Sequence, residues 1–497
     1  MRLLPLFLGL FISFSVVGQK TITKEEANAL GSLSIFYNGR IAVLDSYAKD
    51  FCRKIYGQST YKDLDAVQVL SGWLFFPEEW QNEPFFKIKS KQLQQKLGVK
   101  KYAKLTDFLG NAETYQLFRW GGGYDPHNVA IKEAIEKISL IRALHTGESL
   151  KIFPQKSQWY AQNDDLSLAD ANDTLFISNV FQLLYESVGE QNHAQILEII
   201  HKISLFQKSR AEKGSIDDKK VRIELIYNSF NIVNVLFKIH LSAGILLVFF
   251  YIFFMQKGKK TTWISGVNRC ILLICCVLLT LYLAIRWYLS SHIPLSNGYE
   301  TMLFLSWVIV LICIVLAKKS PLLSLGGLVI SGFTLLVASL NFMNPQIGNL
   351  MPVLASPWMS IHVSLVMIAY AVFTFTFINS LIYIALRIFT KGETPQMAQL
   401  QTISQTLLLL GVGFLSIGIF TGAVWANITW GRYWGWDPKE VWALITLIVY
   451  SMPLHGKILS FFQKPIFFHI FLIFAFFCVL MTYFGVNYLL GGMHSYR

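Results

Sequence analysis

Two hydrophobic patterns divide the chain. Between residues 19 and 230, apolar positions are interspersed with many Lys, Glu, Asp and Gln; from 231 to 497 they gather into long runs separated by short polar gaps. A membrane-crossing helix needs about 20 consecutive, mostly apolar residues. The runs at 233–255, 268–288, 300–317, 321–342, 361–386, 403–424, 441–459 and 466–489 are near that length and predict eight spans. The earlier region reads as a soluble domain with helices over Val129 to Leu144, Leu175 to Ser187 and Asn192 to Phe206, and a glycine-rich loop from Trp120 to Pro126. At the start, Arg2, the apolar stretch Leu3 to Val17 and the small-residue site Val16-Val17-Gly18 stand in the order of a signal peptide. An uncleaved anchor helix is the other reading, although about 15 apolar residues are short for a span. Either segment would export the soluble domain. The expected fold is mainly α: a polytopic membrane helix bundle of about eight spans (231–497) with an N-terminal exported soluble domain (19–230) behind a signal peptide (1–18).

Charge orients this bundle. The net charge is +13, which in a soluble protein would raise the question of nucleic acid. Here many of the basic residues sit in short loops between apolar runs, where the excess of Lys and Arg marks the cytoplasmic side. Lys257, Lys259, Lys260, Arg269, Lys318, Lys319, Arg387, Lys391, Lys457 and Lys464 fall on one side; Arg286, Arg432, Lys439 and Arg497 fall on the other. The expectation is an inner (cytoplasmic) membrane protein whose soluble domain faces the periplasm, with outer loops at 289–299, 343–360 and 425–440 and an outer tail at 490–497. No nucleic-acid partner is expected. Five of the six cysteines lie in apolar segments and Cys52 is alone in the soluble domain, so no disulfide framework forms there. With no C-x-x-C-H, the chain is not itself a c-type cytochrome.

The candidate chemistry lies in one outer loop. Residues 425–442 hold Trp425, Trp430, Trp434, Trp436 and Trp442, five of the thirteen tryptophans in the chain. An interfacial aromatic belt accounts for one or two per helix end, not for five interleaved with Gly431, Gly435, Asp437 and Glu440. Indole faces offer a broad apolar platform with a polar edge, and glycines let backbone approach a flat ligand closely. The combination suits a large, planar, amphipathic ligand such as a porphyrin.

The stretch Trp430-Gly431-Arg432-Tyr433-Trp434-Gly435-Trp436-Asp437-Pro438-Lys439-Glu440 resembles the W-G-x-x-W-x-W-D-x-x-E motif of the haem-handling WWD family at every fixed position. Other stretches resemble the CcsA and fused CcsBA branch: His292 to Glu300, Ser356 to Val363, Trp442 to His455, and Gly485 to Tyr496. The resemblance covers about residues 268–497; the exported domain is only loosely similar to the extra-membrane region of Bacteroidetes-type fused synthases. It implies a System II cytochrome c synthase, with haem b as substrate, His362 and His494 as external axial ligands, and His455 as a ligand to a haem within the membrane.

Residue chemistry bears on each of these assignments. Imidazole is a common axial ligand of haem iron, and both His362 and His494 sit at the level of the Trp loop although 132 residues apart. His455 lies about 21 Å beyond the start of its span at 1.5 Å per residue; a snorkelling helix-end histidine is the alternative. A membrane haem needs a second ligand. It is expected from a separate CcsB-like subunit, or from His240, read here as the only other intramembrane histidine and about 10 Å deep. His292 more simply shapes its loop. Asp437 and Glu440 either cap the seventh span, with Pro438 in its first turn, or contact haem. Arg432, Arg286 and Lys439 are candidates for haem propionates, with Arg432 first because it lies within the motif. The resemblance further implies an apocytochrome c partner with C-x-x-C-H and a separate thiol reductant protein, since this chain has no thioredoxin-like C-x-x-C. No residue here need act as a covalent nucleophile. A haem exporter or chaperone that leaves the thioether unmade is the alternative activity.

Overall fold

The computed structural model describes residues 19–109, 129–164, 170–340, 343–390 and 392–490. The expected signal segment, the loop at 120–126 and His494 lie outside them. The chain divides into two compact units, Met1–Asn228 and Ser229–Arg497.

The N-terminal unit is mainly helical with three two-stranded antiparallel hairpins, the first pairing Ser34–Tyr37 with Arg40–Val43. The helices expected from periodicity appear as Val129–His145, Ala171–Gly189 and His193–Arg210. The core is aromatic: Trp73, Trp80, Phe85 and Phe86 are all fully buried. Gly72 makes room for it, since a Cβ there would lie 2.2 Å from the Trp80 indole. The first helix, Lys24–Gly31, opens on a capping box between Thr23 and Glu26. Near the end of the unit, Arg40 pairs bidentately with the buried Glu224 at 2.6 and 2.9 Å, tying the helix Asp218–Ser229 to the first hairpin.

The second unit is a polytopic bundle, and its helices are labelled here α1 (Ile232–Gln256), α2 (Thr262–Ser290), α3 (Gly298–Leu316), α4 (Pro321–Ala338), α5 (Pro357–Phe389), α6 (Pro395–Trp430), α7 (Pro438–Ser451) and α8 (Pro465–Leu480). Proline opens α4 to α8, where its fixed φ is helical and its missing N–H costs nothing. Among the described residues seven helices, not eight, are long and apolar enough to cross a membrane. The exception is the seventh expected span. α7 has 14 residues and gives way to a four-residue 3-10 turn, Met452–His455, because Pro453 cannot continue an α-helix. The helix and turn together reach about 29 Å, close to a bilayer core of about 30 Å. α8 continues as a ten-residue π-helix, Met481–Leu490, a rare winding that is frequent at functional sites.

Small residues set the helix spacing. In lipid, helices gain little by hydrophobicity, so close backbone approach over glycine supplies the packing. On α6, a Cβ at Gly411, Gly418 or Gly422 would lie 2.4, 3.0 or 2.6 Å from Phe373, Val366 and His362 of α5. α1 and α4 interlock through Gly244 against Val329 and Gly332 against Leu241. Two histidines are fully buried between helices. His240 Nδ1 lies 3.0 Å from Ser331 Oγ, which is 2.7 Å from Ser306 Oγ of α3. His469 of α8 lies 2.9 Å from Ser380 Oγ and stacks on Tyr383 at 3.9 Å. His240 is therefore not the only other histidine within the spans: His469 sits four residues beyond Pro465, inside the apolar run 466–489.

Candidate functional site

α6 is longer than the apolar run that predicts it. It continues to Trp430 and stops at Gly431, which has φ 72°. Trp425 and Trp430 are consequently helical, and the loop proper is only 431–437. Trp425 is 3% exposed, donates Nε1–H to the Val353 carbonyl at 3.2 Å and packs with Leu354 and Met359. Trp430 meets it edge-on at 4.9 Å. These two indoles pin the segment 350–354. Trp434 is half-buried and faces a cavity. Trp436 is 72% exposed, stands edge-on to Trp434 at 5.9 Å, and holds φ 56°, an uncommon backbone for an aromatic residue.

Two carboxylates fix the loop onto α7. Glu440 Oε2 accepts from the backbone N–H of Gly435 at 2.8 Å and of Asp437 at 3.2 Å, while Asp437 Oδ1 accepts from Lys439 N at 3.0 Å. This is a capping box, with both acids at the positive end of the helix dipole.

Beneath the loop is a cavity of about 270 Å³. One wall is a single face of α5: Met359, His362, Val363, Val366, Met367 and Tyr370 fall at i, i+3, i+4, i+7, i+8 and i+11. Ile419, Gly422, Ala423 and Trp425 of α6 form another wall, Tyr433 and Trp434 the roof, and Lys439 and Glu440 one edge. The segment Leu295 to Gly298 with Thr301 closes one side, and Thr482, Tyr483, Asn487 and Tyr488 of the π-helix close the other. His362 donates Nδ1–H to the Gly418 carbonyl at 2.6 Å and lies nearly parallel to Trp425. That bond selects the tautomer whose Nε2 carries the lone pair, the form of imidazole able to ligate a metal through that atom. The ring fits only because residue 422 is glycine.

The π winding explains the fourth wall. Its i→i+5 hydrogen bonds align Thr482 with Asn487 and Tyr483 with Tyr488; five α-helical residues would leave each pair about 140° apart. Tyr483 Oη meets Thr301 Oγ1 at 2.6 Å, and Asn487 Oδ1 accepts from Lys439 Nζ at 2.8 Å.

The other expected residues scatter. Trp430, Trp436, Asp437 and Arg432 are beside the cavity rather than on its wall; the exposed Arg432 guanidinium packs over Gly435, where a Cβ would lie 2.9 Å from Cζ. Arg286 lies inside the bundle. It is fully buried, bonds Glu300 Oε1 at 2.7 Å, and donates to the Pro345 and Gln346 carbonyls at 2.7 and 2.9 Å. With Ser296 donating to Glu300 Oε2 through both N–H and Oγ–H at 2.7 Å, this pair braces the Leu295–Gly298 wall. His292 ring nitrogens lie 3.0 and 3.1 Å from the carbonyls of Ile293 and Gly348, a loop-shaping role. His455 is exposed at the opposite end of α7, donating Nδ1–H to the Ser451 carbonyl at 2.9 Å. His240 is locked between α1 and α4, where its Nδ1 lies 3.0 Å from Ser331 Oγ. Sequence reasoning missed Gly422, Tyr370, Thr301, Tyr483 and Asn487, although the helical periodicity of 359–370 carries the signal for the α5 wall.

Comparison with known proteins gives the same emphasis. The sequence model of the cytochrome c assembly protein family matches residues 295–494, which contain the cavity. Protein NrfI of Wolinella succinogenes is 30% identical over 482 residues, 92% of this chain and 53% of that protein. CcsA, a cytochrome c biogenesis protein, is 37% identical in Chlamydomonas reinhardtii over 44% of this chain and 65% of that protein. The CcsA of Cyanophora paradoxa is 32% identical over 51% of this chain and 95% of its own length. The chain thus spans about half of NrfI and about two thirds of the Chlamydomonas protein.

Proposed function

The chain belongs to the CcsA-type cytochrome c biogenesis proteins, and from that premise we propose that it holds haem b under the tryptophan loop at the periplasmic end of its bundle and attaches it to apocytochrome c. One observation carries this reading. His362, fixed in the iron-binding tautomer by the Gly418 carbonyl and cradled by Gly422, sits on the wall of a mostly apolar cavity roofed by Trp434.

In this reading His362 and His494 take the two axial positions. Tyr433 and Trp434 grip the apolar edge of the porphyrin and leave its vinyl groups reachable. The apocytochrome docks with C-x-x-C-H, and its histidine replaces one ligand. Each cysteine sulfur then adds to one vinyl carbon and its proton to the neighbouring carbon, so the addition consumes no oxidant or reductant. The protein supplies position and ligand exchange, while the reacting thiols belong to the partner. A separate thiol reductant keeps those cysteines reduced. A CcsB-like subunit supplies the second ligand opposite His455, whose imidazole is exposed at the far end of α7, where haem is received from within the inner membrane.

The test is expression with a CcsB-like partner and a reporter cytochrome in a host lacking its own c-type maturation. Covalent haem in the reporter is the expected result. Haem retained in the membrane protein alone would make it an exporter or chaperone, and haem in neither would end the haem reading.

A further inference from the structure

Among the described Lys and Arg residues near the tryptophan loop, Lys439 is the one on the cavity wall. Arg286 is committed to Glu300 and two carbonyls, and Arg432 is exposed over Gly435. The surroundings of Lys439 aim it at the cavity. The neighbouring carboxylates serve the backbone: Glu440 takes Gly435 N–H and Asp437 N–H, and Asp437 takes the N–H of Lys439 itself. The Lys439 Nζ–H donates to Asn487 Oδ1 at 2.8 Å, and that amide is oriented by Nδ2–H donating to the Tyr483 carbonyl at 2.6 Å. An ammonium has three N–H donors and can serve more than one acceptor at a time. A cation in the first turn of a helix also opposes the helix dipole, and an anion brought beside it relieves that opposition.

We propose that Lys439 is the carboxylate-binding residue of this cavity and takes a propionate of the porphyrin whose iron His362 holds; the proposal rests on the haem reading above. The cavity then has a polarity: imidazole and apolar α5 face for the metal and ring, ammonium for the acidic edge. Lys439 is a specificity-determining residue that sets which edge of the macrocycle turns inward. The class of ligand admitted is a flat metalloporphyrin with at least one free carboxylate.

The test uses the full-length protein in detergent, titrated by absorbance with ferric haem and with haem dimethyl ester, for wild type, Lys439→Gln and Lys439→Arg. A charge-assisted hydrogen bond of ordinary strength predicts that esterification weakens wild-type binding about tenfold or more. Lys439→Gln should weaken haem binding by a similar factor and bind the ester as wild type does, which also shows that the variant is folded. Lys439→Arg should retain most of the preference for the free acid. The proposal is overturned if Lys439→Gln and wild type discriminate equally between haem and ester. If wild type binds neither porphyrin, the haem reading itself fails and takes this proposal with it; if both bind and only the discrimination is missing, the haem reading stands without it.

Discussion

At the residue scale, His362 and Gly422 behave as one device. The imidazole occupies space that a Cβ at 422 would invade at 2.6 Å. His362→Ala should alter the haem absorbance spectrum, with partial recovery on adding imidazole. Gly422→Ala should alter the spectrum too, even though alanine favours helix over glycine by about 1 kcal/mol. A Gly422→Ala protein that is more heat-stable in detergent and spectrally normal would refute the cradle. The histidine was legible in sequence because chemistry selects it. The glycine was not, because its value lies in what it omits, and only a neighbour 60 residues away reveals the need. His469 was hidden differently: sequence shows a histidine near a span boundary and cannot show that its ring is stacked inside.

At the scale of elements, the tryptophan loop is shorter and better anchored than its composition suggests. Spans and their order were readable because apolar run length reports a membrane helix directly. Where α6 ends was not, because Trp425 to Trp430 suit either a helix end or a loop; Gly431 at φ 72° decides it. Asp437 and Glu440 were readable as caps or as ligand contacts, and both bond the backbone. A cap role predicts that Asp437→Asn, which keeps an acceptor, stays near wild type. Asp437→Ala should lose about 0.5–2 kcal/mol, seen as a lower unfolding temperature in detergent. Equal losses in the two variants would show that the negative charge, not the cap, is what matters. The short α7 results from Pro453, and its 3-10 end presents the exposed His455 at the end of the bundle opposite the loop.

At the scale of the whole molecule, two compact units share one chain. The match to NrfI covers 92% of this chain and so takes in most of the N-terminal unit, whose fold was legible only as helices. Its hairpins have strands two to four residues long, too short for alternation to announce them. That unit carries its own pH dependence. Burial pushes the Glu26 carboxyl up, but hydrogen bonds from His193 and Thr23 outweigh it and hold the pKa below the usual range. A carboxyl depressed in the folded state stabilises the fold above its unfolded pKa and loses that contribution as pH falls through the folded value. Acidification should therefore sensitise this unit of the full-length protein to proteolysis, and Glu26→Gln should flatten that part of the profile; an unchanged profile would remove Glu26 as its source.

The π-helix at the end of α8 reaches beyond the wall it builds. Ten residues wound this way make a wider and shorter coil than the same ten wound as α-helix, so the segment holds slack. Unreeling it would lengthen the helix and turn Tyr483 away from Tyr488. Cavity lining and helix length are thus drawn from one stretch of polypeptide, and a single insertion or deletion there would change both.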